Sequence, residues 1–392
     1  MMKSVVLTPA VFLLLLASTA DAQGRFQTGN LSWTPVITVR DAGLDTNVYD
    51  EPENPRRDHL AIVTPQVDGV FELGTGSLTI AGSADFVYFR RYADERSING
   101  RGSARFEVPL SRIRPFGGIA YQNGRERQNS EIDLRARRTA RELTAGIGLS
   151  LTSRGSIELS GRRSDSRFEQ GEVFRGVELA TRFNRDTTGA AARIRYDLSP
   201  LTTFTVEGDA ARDHYVLSPA FDADNVRANV GFHFSPDAVI KGRAVVGYHK
   251  LTSRGPLSAG YDGLITSVEI GYVLLGRTRF DGRILRDTSA SLEAQPFFVQ
   301  TIYGGEVLHN LFGPVDVIGR VSRERMDYES MPDRGLVGHT LDLNRVGGAV
   351  AIRAAERVRL TLTYEFAERL SGSLPDRSYE RKRLFTTVSY GF

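Results

Sequence analysis

The chain contains no cysteine and only one tryptophan among its 392 residues. Without cysteine there is no disulfide framework, so the fold cannot be stabilised by cross-links as small secreted domains are. Lysine is also scarce beside arginine, and 50 basic against 47 acidic residues leave a net charge of +3. This balance lacks the concentrated basic face expected of a nucleic-acid-binding protein.

Long apolar runs are missing as well. Beyond the first residues no stretch of 18 apolar residues occurs, which excludes a membrane-spanning helix there. The one apolar run, residues 5–17, is shorter than the about 20 residues that cross a bilayer. It follows the basic Lys3 and precedes a small-x-small tripeptide, the order found in a secretory signal peptide. We therefore predict a cleaved signal over 1–22 and a single mature domain over 23–392.

The predicted cleavage site involves Ala20, Ala22 and Gln23, with the scissile bond between the last two. No cysteine follows the site, so the sequence does not predict a lipoprotein anchor. An exported chain of this size without disulfides favours either two domains or one large β fold. We find no linker, low-complexity tract or boundary that would divide the mature chain.

The dominant pattern is an alternation of apolar and polar residues with a period of two. In residues 358–366, for example, Val, Leu, Leu, Tyr and Phe alternate with Arg, Thr, Thr and Glu. This period places each set on one face of a β-strand. A soluble β-sandwich produces the same alternation, so the period alone does not decide the fold class.

The connections between the alternating segments distinguish the two classes. Short turns rich in Gly, Pro, Ser and Asp, such as 74–76, 199–201 and 235–237, alternate with longer polar segments, such as 124–137 and 164–184. Short turns at one rim and long loops at the other are typical of outer-membrane β-barrels. A mean hydropathy of −0.25 agrees, since half of each barrel strand faces a polar lumen.

We predict an all-β fold, a single antiparallel up-and-down transmembrane barrel of 18 strands, with 16 as the alternative. The predicted strands cover 31–41, 59–73, 76–91, 99–110, 113–123, 138–152, 155–165, 185–198, 201–214, 223–235, 238–250, 261–275, 277–287, 297–311, 314–326, 340–354, 356–368 and 379–392. A barrel of this size is wide enough for an aqueous channel.

The last strand alternates up to the final residue of the chain. Val388, Tyr390 and Phe392 share its apolar face, and this arrangement resembles the C-terminal signal of bacterial outer-membrane barrels. The resemblance implies recognition by the barrel assembly machinery and a location in the outer membrane of a Gram-negative bacterium, reached through the periplasm. The surrounding outer-membrane lipid and lipopolysaccharide are then expected partners.

Charged residues alternate with the apolar stripes, so we assign them to the lumen. An arginine on the lipid face costs about 2–4 kcal/mol at the bilayer midplane, so the charged face of each strand must be the one that faces the lumen. The predicted pore-lining residues are Arg105, Glu107, Arg193, Arg195, Glu207, Arg227, Lys241, Arg243, Arg279, Asp281, Arg283, Arg320, Arg353, Arg359, Glu365 and Arg383. They predict a polar, arginine-rich wall that selects solutes. Alternatively, the opposite charges neutralise one another and hold the strands in register.

Catalysis is not predicted. Asp213 and His214, with Ser218 nearby, form the only suggestive cluster, but no G-x-S-x-G motif occurs and adjacent strand residues point to opposite faces. No metal-binding motif is present, and nothing predicts a cofactor. The acidic stretch 45–53 is expected to be a solvated first outer loop.

Several short motifs are similar to those of the putative β-barrel porin 2 family. They are DTNVY at 45–49, TPQV at 64–67, NRDTTG at 184–189 and YDLSPLT at 196–202. The resemblance implies passage of exopolysaccharide or capsular polymer across the outer membrane, with periplasmic polysaccharide-export proteins as partners. The alternatives are a general or substrate-selective diffusion porin for small solutes and a structural or adhesive surface barrel.

Overall fold

The computed structural model describes residues 26–255, 260–332, 335–372 and 374–391. The predicted signal peptide with its cleavage site, and the terminal Phe392, lie outside these residues.

Eighteen long strands form one closed antiparallel sheet, and strand makes up 74% of the structure. In chain order a short β1 (Phe26–Thr28) precedes the barrel strands β2 (Leu31–Asp45), β3 (Asp58–Leu73), β4 (Gly76–Phe89), β5 (Ser97–Glu107), β6 (Ile113–Glu126), β7 (Ala136–Ser150) and β8 (Gly155–Phe168). The connection after β8 contains the hairpin β9 (Val173–Phe174) and β10 (Val177–Glu178) and the helix α1 (Leu179–Phe183).

The second part of the barrel follows directly. Its strands are β11 (Arg185–Ser199), β12 (Thr202–Tyr215), β13 (Ala223–Phe234), β14 (Ile240–Ser253), β15 (Tyr261–Leu274), β16 (Thr278–Ala290), β17 (Phe297–Phe312), β18 (Val315–Tyr328), β19 (His339–Ala355), β20 (Val358–Ser371) and β21 (Tyr379–Gly391). The prediction of 18 strands is thus confirmed. Among the described residues no helix is long and apolar enough to cross a membrane.

Each barrel strand pairs with the next along the chain, and β2 pairs with β21 to close the sheet. At this seam Val36 lies opposite Gly391 and Asp45 opposite Arg383, with a β-bulge after Val39. The extra residues of the bulge include Asp41, whose φ is +53°. Bulges of this kind re-aim side chains at barrel walls, and here the carboxylate of Asp41 bonds to Nη2 of Arg383 at 2.9 Å.

The apolar stripes face outward. Ile119, Leu264 and Leu362 remain 60%, 63% and 54% exposed, whereas Glu207 and Glu306, from the opposite strand faces, are buried. In water such a surface would drive association, but in a bilayer it is the face that contacts lipid. The exposure pattern therefore favours a membrane barrel over a β-sandwich, for which the apolar face would lie inside.

Candidate functional site

The barrel encloses a cavity of about 1180 Å³. Arginine is more frequent in its lining than aspartate and glutamate together, and serine, threonine and asparagine contribute much of the rest. Half of the sequence-predicted pore residues line this cavity: Glu207, Arg227, Arg243, Arg283, Arg320, Arg359, Glu365 and Arg383.

The other eight follow the same inward alternation but lie closer to the short turns, outside the cavity lining. They are Arg105, Glu107, Arg193, Arg195, Lys241, Arg279, Asp281 and Arg353. Among them Arg193 of β11 pairs with both neighbouring strands: its Nε lies 2.7 Å from Glu207 of β12, and its Nη1 lies 3.4 Å from Glu158 of β8. These pairs are consistent with the alternative role of holding strands in register.

Many cavity arginines have a carboxylate partner on the adjacent strand or on the strand beyond it. Nε of Arg320 lies 2.5 Å from Glu306, and Nη2 of Arg359 lies 3.1 Å from Asp316. By contrast, Arg138 of β7 and Arg283 of β16 form no ion pair within 4.0 Å in the described part of the chain. These two guanidinium groups offer positive charge and hydrogen-bond donors to a solute in the lumen.

The loop between β6 and β7, residues 127–135, lines much of the cavity at the long-loop end of the barrel. We call it the lumen loop. Its side-chain amide at Asn129 accepts hydrogen bonds from the backbone N–H groups of Glu131 and Ile132 at 3.0 and 3.1 Å, which shapes a tight local turn. Both of those residues are fully buried, so the loop folds into the barrel instead of standing above it.

The lumen loop is bonded to strands on the far side of the barrel. Asp133 accepts two hydrogen bonds from Arg369 of β20, at 2.7 and 2.6 Å. The hydroxyl of Ser130 donates to Glu324 of β18 at 2.8 Å. At the near end Arg127 forms a 3.1 Å ion pair with Asp50. Because the loop is bonded to several parts of the barrel, it stays inside the lumen and narrows it.

Glu131 anchors the centre of the lumen loop. Its carboxylate accepts hydrogen bonds from the hydroxyl of Ser291 at 2.8 Å and from the backbone N–H of Leu292 at 3.0 Å. Burial raises the pKa of Glu131 above its ordinary value of 4.5, and the two hydrogen bonds oppose this effect. Glu293 raises this pKa further, and Arg377 lowers it.

A small apolar core fills the outer mouth beside this anchor. Ile132 of the lumen loop packs with Leu179 and Phe183 of α1, Phe168 at the end of β8 and Leu292. The helix is also held by a side chain of its own, since Arg182 donates to the backbone carbonyl of Ser291 at 2.9 Å. Three connections, 127–135, 169–184 and 291–296, thus meet inside the mouth, and we refer to them together as the plug.

Sequence reasoning missed the plug because its partners are far apart along the chain. It treated 124–137 and 164–184 as ordinary outer loops, and did not single out Glu131, Asp133 or Arg369. In the sequence these three residues are simply charged residues within or beside polar stretches. That composition does not distinguish a solvated loop from one folded inward.

The acidic stretch 45–53 is not the solvated loop expected from the sequence. Asp45, Asn47 and Asp50 are buried, with exposures of 1%, 0% and 5%. The guanidinium of Arg381 bonds to Asp45 and, at 3.1 Å, to Asp50. Because this stretch folds inward, its acids reach arginine partners, and buried charges of this kind are retained when paired.

The suggestive cluster of Asp213, His214 and Ser218 does not come together. His214 bonds through Nδ1 to Asp222 at 2.9 Å, and Ser218 donates to the backbone carbonyl of Thr181 at 2.7 Å. Asp213 instead faces inward, where the side chain of Asn225 donates to it at 2.9 Å. Within the described residues no group of three or more His, Cys, Asp or Glu is arranged to hold a metal ion.

A closed 18-stranded barrel with lipid-facing apolar stripes and a charged, loop-narrowed lumen defines the class of outer-membrane β-barrel channels. Within this class, the chain belongs to the family described as putative beta-barrel porin 2, whose sequence pattern matches residues 21–392. The resemblance noted from the short motifs is thereby confirmed. Among curated proteins none matches the chain.

Bacterial porins are among the solved structures with a similar fold. The outer membrane protein OpdK of Pseudomonas aeruginosa has a TM-score of 0.53 at 11% identity, over 91% of this chain and 98% of that one. A BenF-like porin from Pseudomonas fluorescens Pf-5 has a TM-score of 0.53 at 10% identity, over 92% and 98%. OccK3 (OpdO) of Pseudomonas aeruginosa gives 0.50 at 8% identity, over 91% and 95%. Identities this low establish the fold and not the solute.

Proposed function

We propose that this protein is a substrate-selective diffusion porin for small anionic solutes. The observation that carries the proposal is the lumen itself: a cavity of about 1180 Å³, rich in arginine, beneath a loop bonded to opposite walls. Arg138 and Arg283, without carboxylate partners, supply the binding charge. Each contact must be weak enough for the solute to leave again, as in other selective pores.

Passage of an exopolysaccharide, which the family resemblance implies, is the second candidate. The wide 18-stranded wall and its many hydrogen-bonding side chains favour it. A polymer chain, however, requires displacement of the lumen loop and therefore loss of the Arg369–Asp133 pair, whereas a small solute fits the cavity as it stands. The cavity can hold a small solute without loss of that pair, and for this reason we prefer the small-solute proposal.

Either function includes the same cellular route. We propose export through the periplasm after removal of residues 1–22, followed by insertion through the barrel assembly machinery, which would read Val388 and Tyr390 on the outward face of β21. Periplasmic polysaccharide-export proteins are partners only under the polymer function.

The test is single-channel recording of the refolded mature protein in planar bilayers. Vanillate, the compound that one solved OpdK structure contains, is the anionic probe, and vanillyl alcohol is its uncharged analogue. We expect anion-selective conductance and current blockades by vanillate alone. In Arg138→Gln/Arg283→Gln the blockades should weaken at least tenfold.

The matched control is Arg323→Gln/Arg325→Gln, which removes two arginines from the outward face of β18, where they pair with Asp342. It should leave blockades unchanged. A cation-selective or unselective pore contradicts the proposal. Blockade of the unaltered protein by an acidic oligosaccharide, with vanillate inert, would favour polymer passage instead.

A further inference from the structure

A shallow groove lies on the outer surface of the barrel where β5 to β8 meet. Its lining includes Gly102, Ala104, Ile119, Tyr121 and Leu143, together with Arg141, Arg163 and Asp165. Small residues on β5 form its floor. A Cβ added at Gly102 would have only one atom within 4 Å, the Ala81 carbonyl oxygen at 3.9 Å, so the space over this residue is open.

Register places these residues in two rows across the sheet. The upper row contains Gly102, Tyr121, Arg141 and Asp165, and the row beneath it contains Ala104, Ile119, Leu143 and Arg163. Ile119 and Leu143 are 60% and 58% exposed, so this face contacts lipid. Above both rows the side chains of Asn123, Thr139 and Arg137 bond to one another, which marks the polar headgroup level.

Arg163 is therefore displaced toward the hydrocarbon. It shares a row with two exposed aliphatic residues and lies one row deeper than Tyr121, whose ring suits the headgroup level. Neither Arg163 nor Arg141 forms an ion pair or side-chain hydrogen bond with any described residue, although Arg167, on the same face of β8, pairs with Asp186 at 2.5 Å.

The outward side of the groove carries net positive charge. Its lining contains two carboxylates, Glu142 and Asp165. Glu142 alternates with Arg141 and Leu143 along β7 and therefore belongs to the lumen face. Asp165 alone thus opposes Arg141 and Arg163 on the face that meets the membrane.

From this arrangement we infer that the groove binds a phosphorylated, acylated glycolipid of the outer leaflet, which is the chemistry of lipid A. An acyl chain lies against Ile119 and Leu143 over the small residues of β5. The phosphate bonds to Arg141 and Arg163, which supply the fork-shaped donors that phosphate favours. The position at the long-loop end of the barrel places the site in the outer leaflet, which favours this lipid over a phospholipid of the inner leaflet.

The test is native mass spectrometry of the refolded full-length mature barrel with three lipids: lipid A, its dephosphorylated form and phosphatidylglycerol. Lipid A should be retained at least tenfold more strongly than either of the others. Arg141→Gln/Arg163→Gln should lose this preference. The control Arg323→Gln/Arg325→Gln should keep it, because that variant removes the same charge from the outward face of another strand.

Gly102→Val provides a second variant with no change of charge. Its side chain fills the groove floor, so retention of lipid A should fall several-fold while phosphate dependence persists. If the double arginine variant fails to fold, this variant and the three-lipid comparison on the unaltered protein still decide the matter. Equal retention of lipid A and its dephosphorylated form, equal loss in both arginine variants, or matching retention of phosphatidylglycerol would each overturn the inference.

Discussion

Glu131 combines complete burial with two hydrogen bonds to a connection on the opposite side of the barrel. Because burial raises its pKa above 4.5, the folded loop holds the proton more tightly than the released loop does. The contribution of Glu131 to loop docking is therefore complete below pH 4.5 and is lost as the pH rises through the raised pKa.

We accordingly expect the closed fraction of single channels to be larger at acidic than at alkaline pH. Glu131→Gln keeps an acceptor for Ser291 and Leu292 without a charge, so this variant should stay closed across the range. The control is Glu53→Gln, which removes an exposed loop carboxylate. The same pH profile in the unaltered protein and in Glu131→Gln would show that another group controls the loop.

The inward direction of the charged strand residues was predictable from the sequence, and the contacts between the plug and the wall were not. Arg320 and Arg359 alternate with apolar neighbours, and this period fixes their inward direction whatever the rest of the fold does. Asp133 and Arg369 are 236 positions apart. Their contact depends on how a loop crosses a barrel whose diameter and stagger no local pattern encodes.

The strands themselves followed the prediction closely. Bounds differ from the expected ones by a few residues, and β11, β13 and β21 begin where the sequence placed them, at positions 185, 223 and 379. Tight turns and alternation are both local properties, which explains this success. The short β1, the hairpin β9–β10 and helix α1 were missed, since each is only two to five residues long and gives no periodic signal of its own.

The closing pair β2–β21 has one position where only glycine fits. A Cβ at Gly43 would lie 2.0 Å from the backbone carbonyl oxygen of Leu384, a contact that neither strand can relieve without moving. Gly43→Ala should therefore weaken the seam, which we expect as earlier unfolding in heat-modifiability gels and a lower midpoint in urea.

The matched control is Gly282→Ala in β16, where the added Cβ meets no atom within 4 Å. It should leave the unfolding midpoint close to that of the unaltered protein. Equal midpoints for the two variants would mean that the seam adjusts without cost and that the close approach of β2 to β21 is not required.

The molecule as a whole is a barrel wall around a bonded plug, and Arg369 joins the two parts through two hydrogen bonds to Asp133. This side chain is 1% exposed and that of Asp133 is 10% exposed, so loss of Arg369 leaves a mostly buried carboxylate without its ion-pair partner, which typically costs about 3–5 kcal/mol. Arg369→Met should therefore release the lumen loop and raise single-channel conductance, while the barrel remains folded because the wall pairings are untouched.

Arg175→Met is the corresponding control. It removes a second tether between connections, the pair of Arg175 and Asp376, but both partners are exposed, so the expected effect is about 0–1 kcal/mol. Conductance should stay near that of the unaltered protein. Unchanged conductance in Arg369→Met would indicate that the remaining anchors at Ser130 and Glu131 suffice to hold the loop.

The closing seam forms at a different stage of folding from the other strand pairings. Every other wall pairing joins strands that follow each other along the chain, so hairpins can form progressively from local contacts. Only the seam brings together segments more than 300 positions apart, and contacts of such separation form slowly because a long chain must first be ordered. Refolding kinetics should therefore divide into a rapid growth of an open, curved sheet and a slow final step in which its two free edges meet.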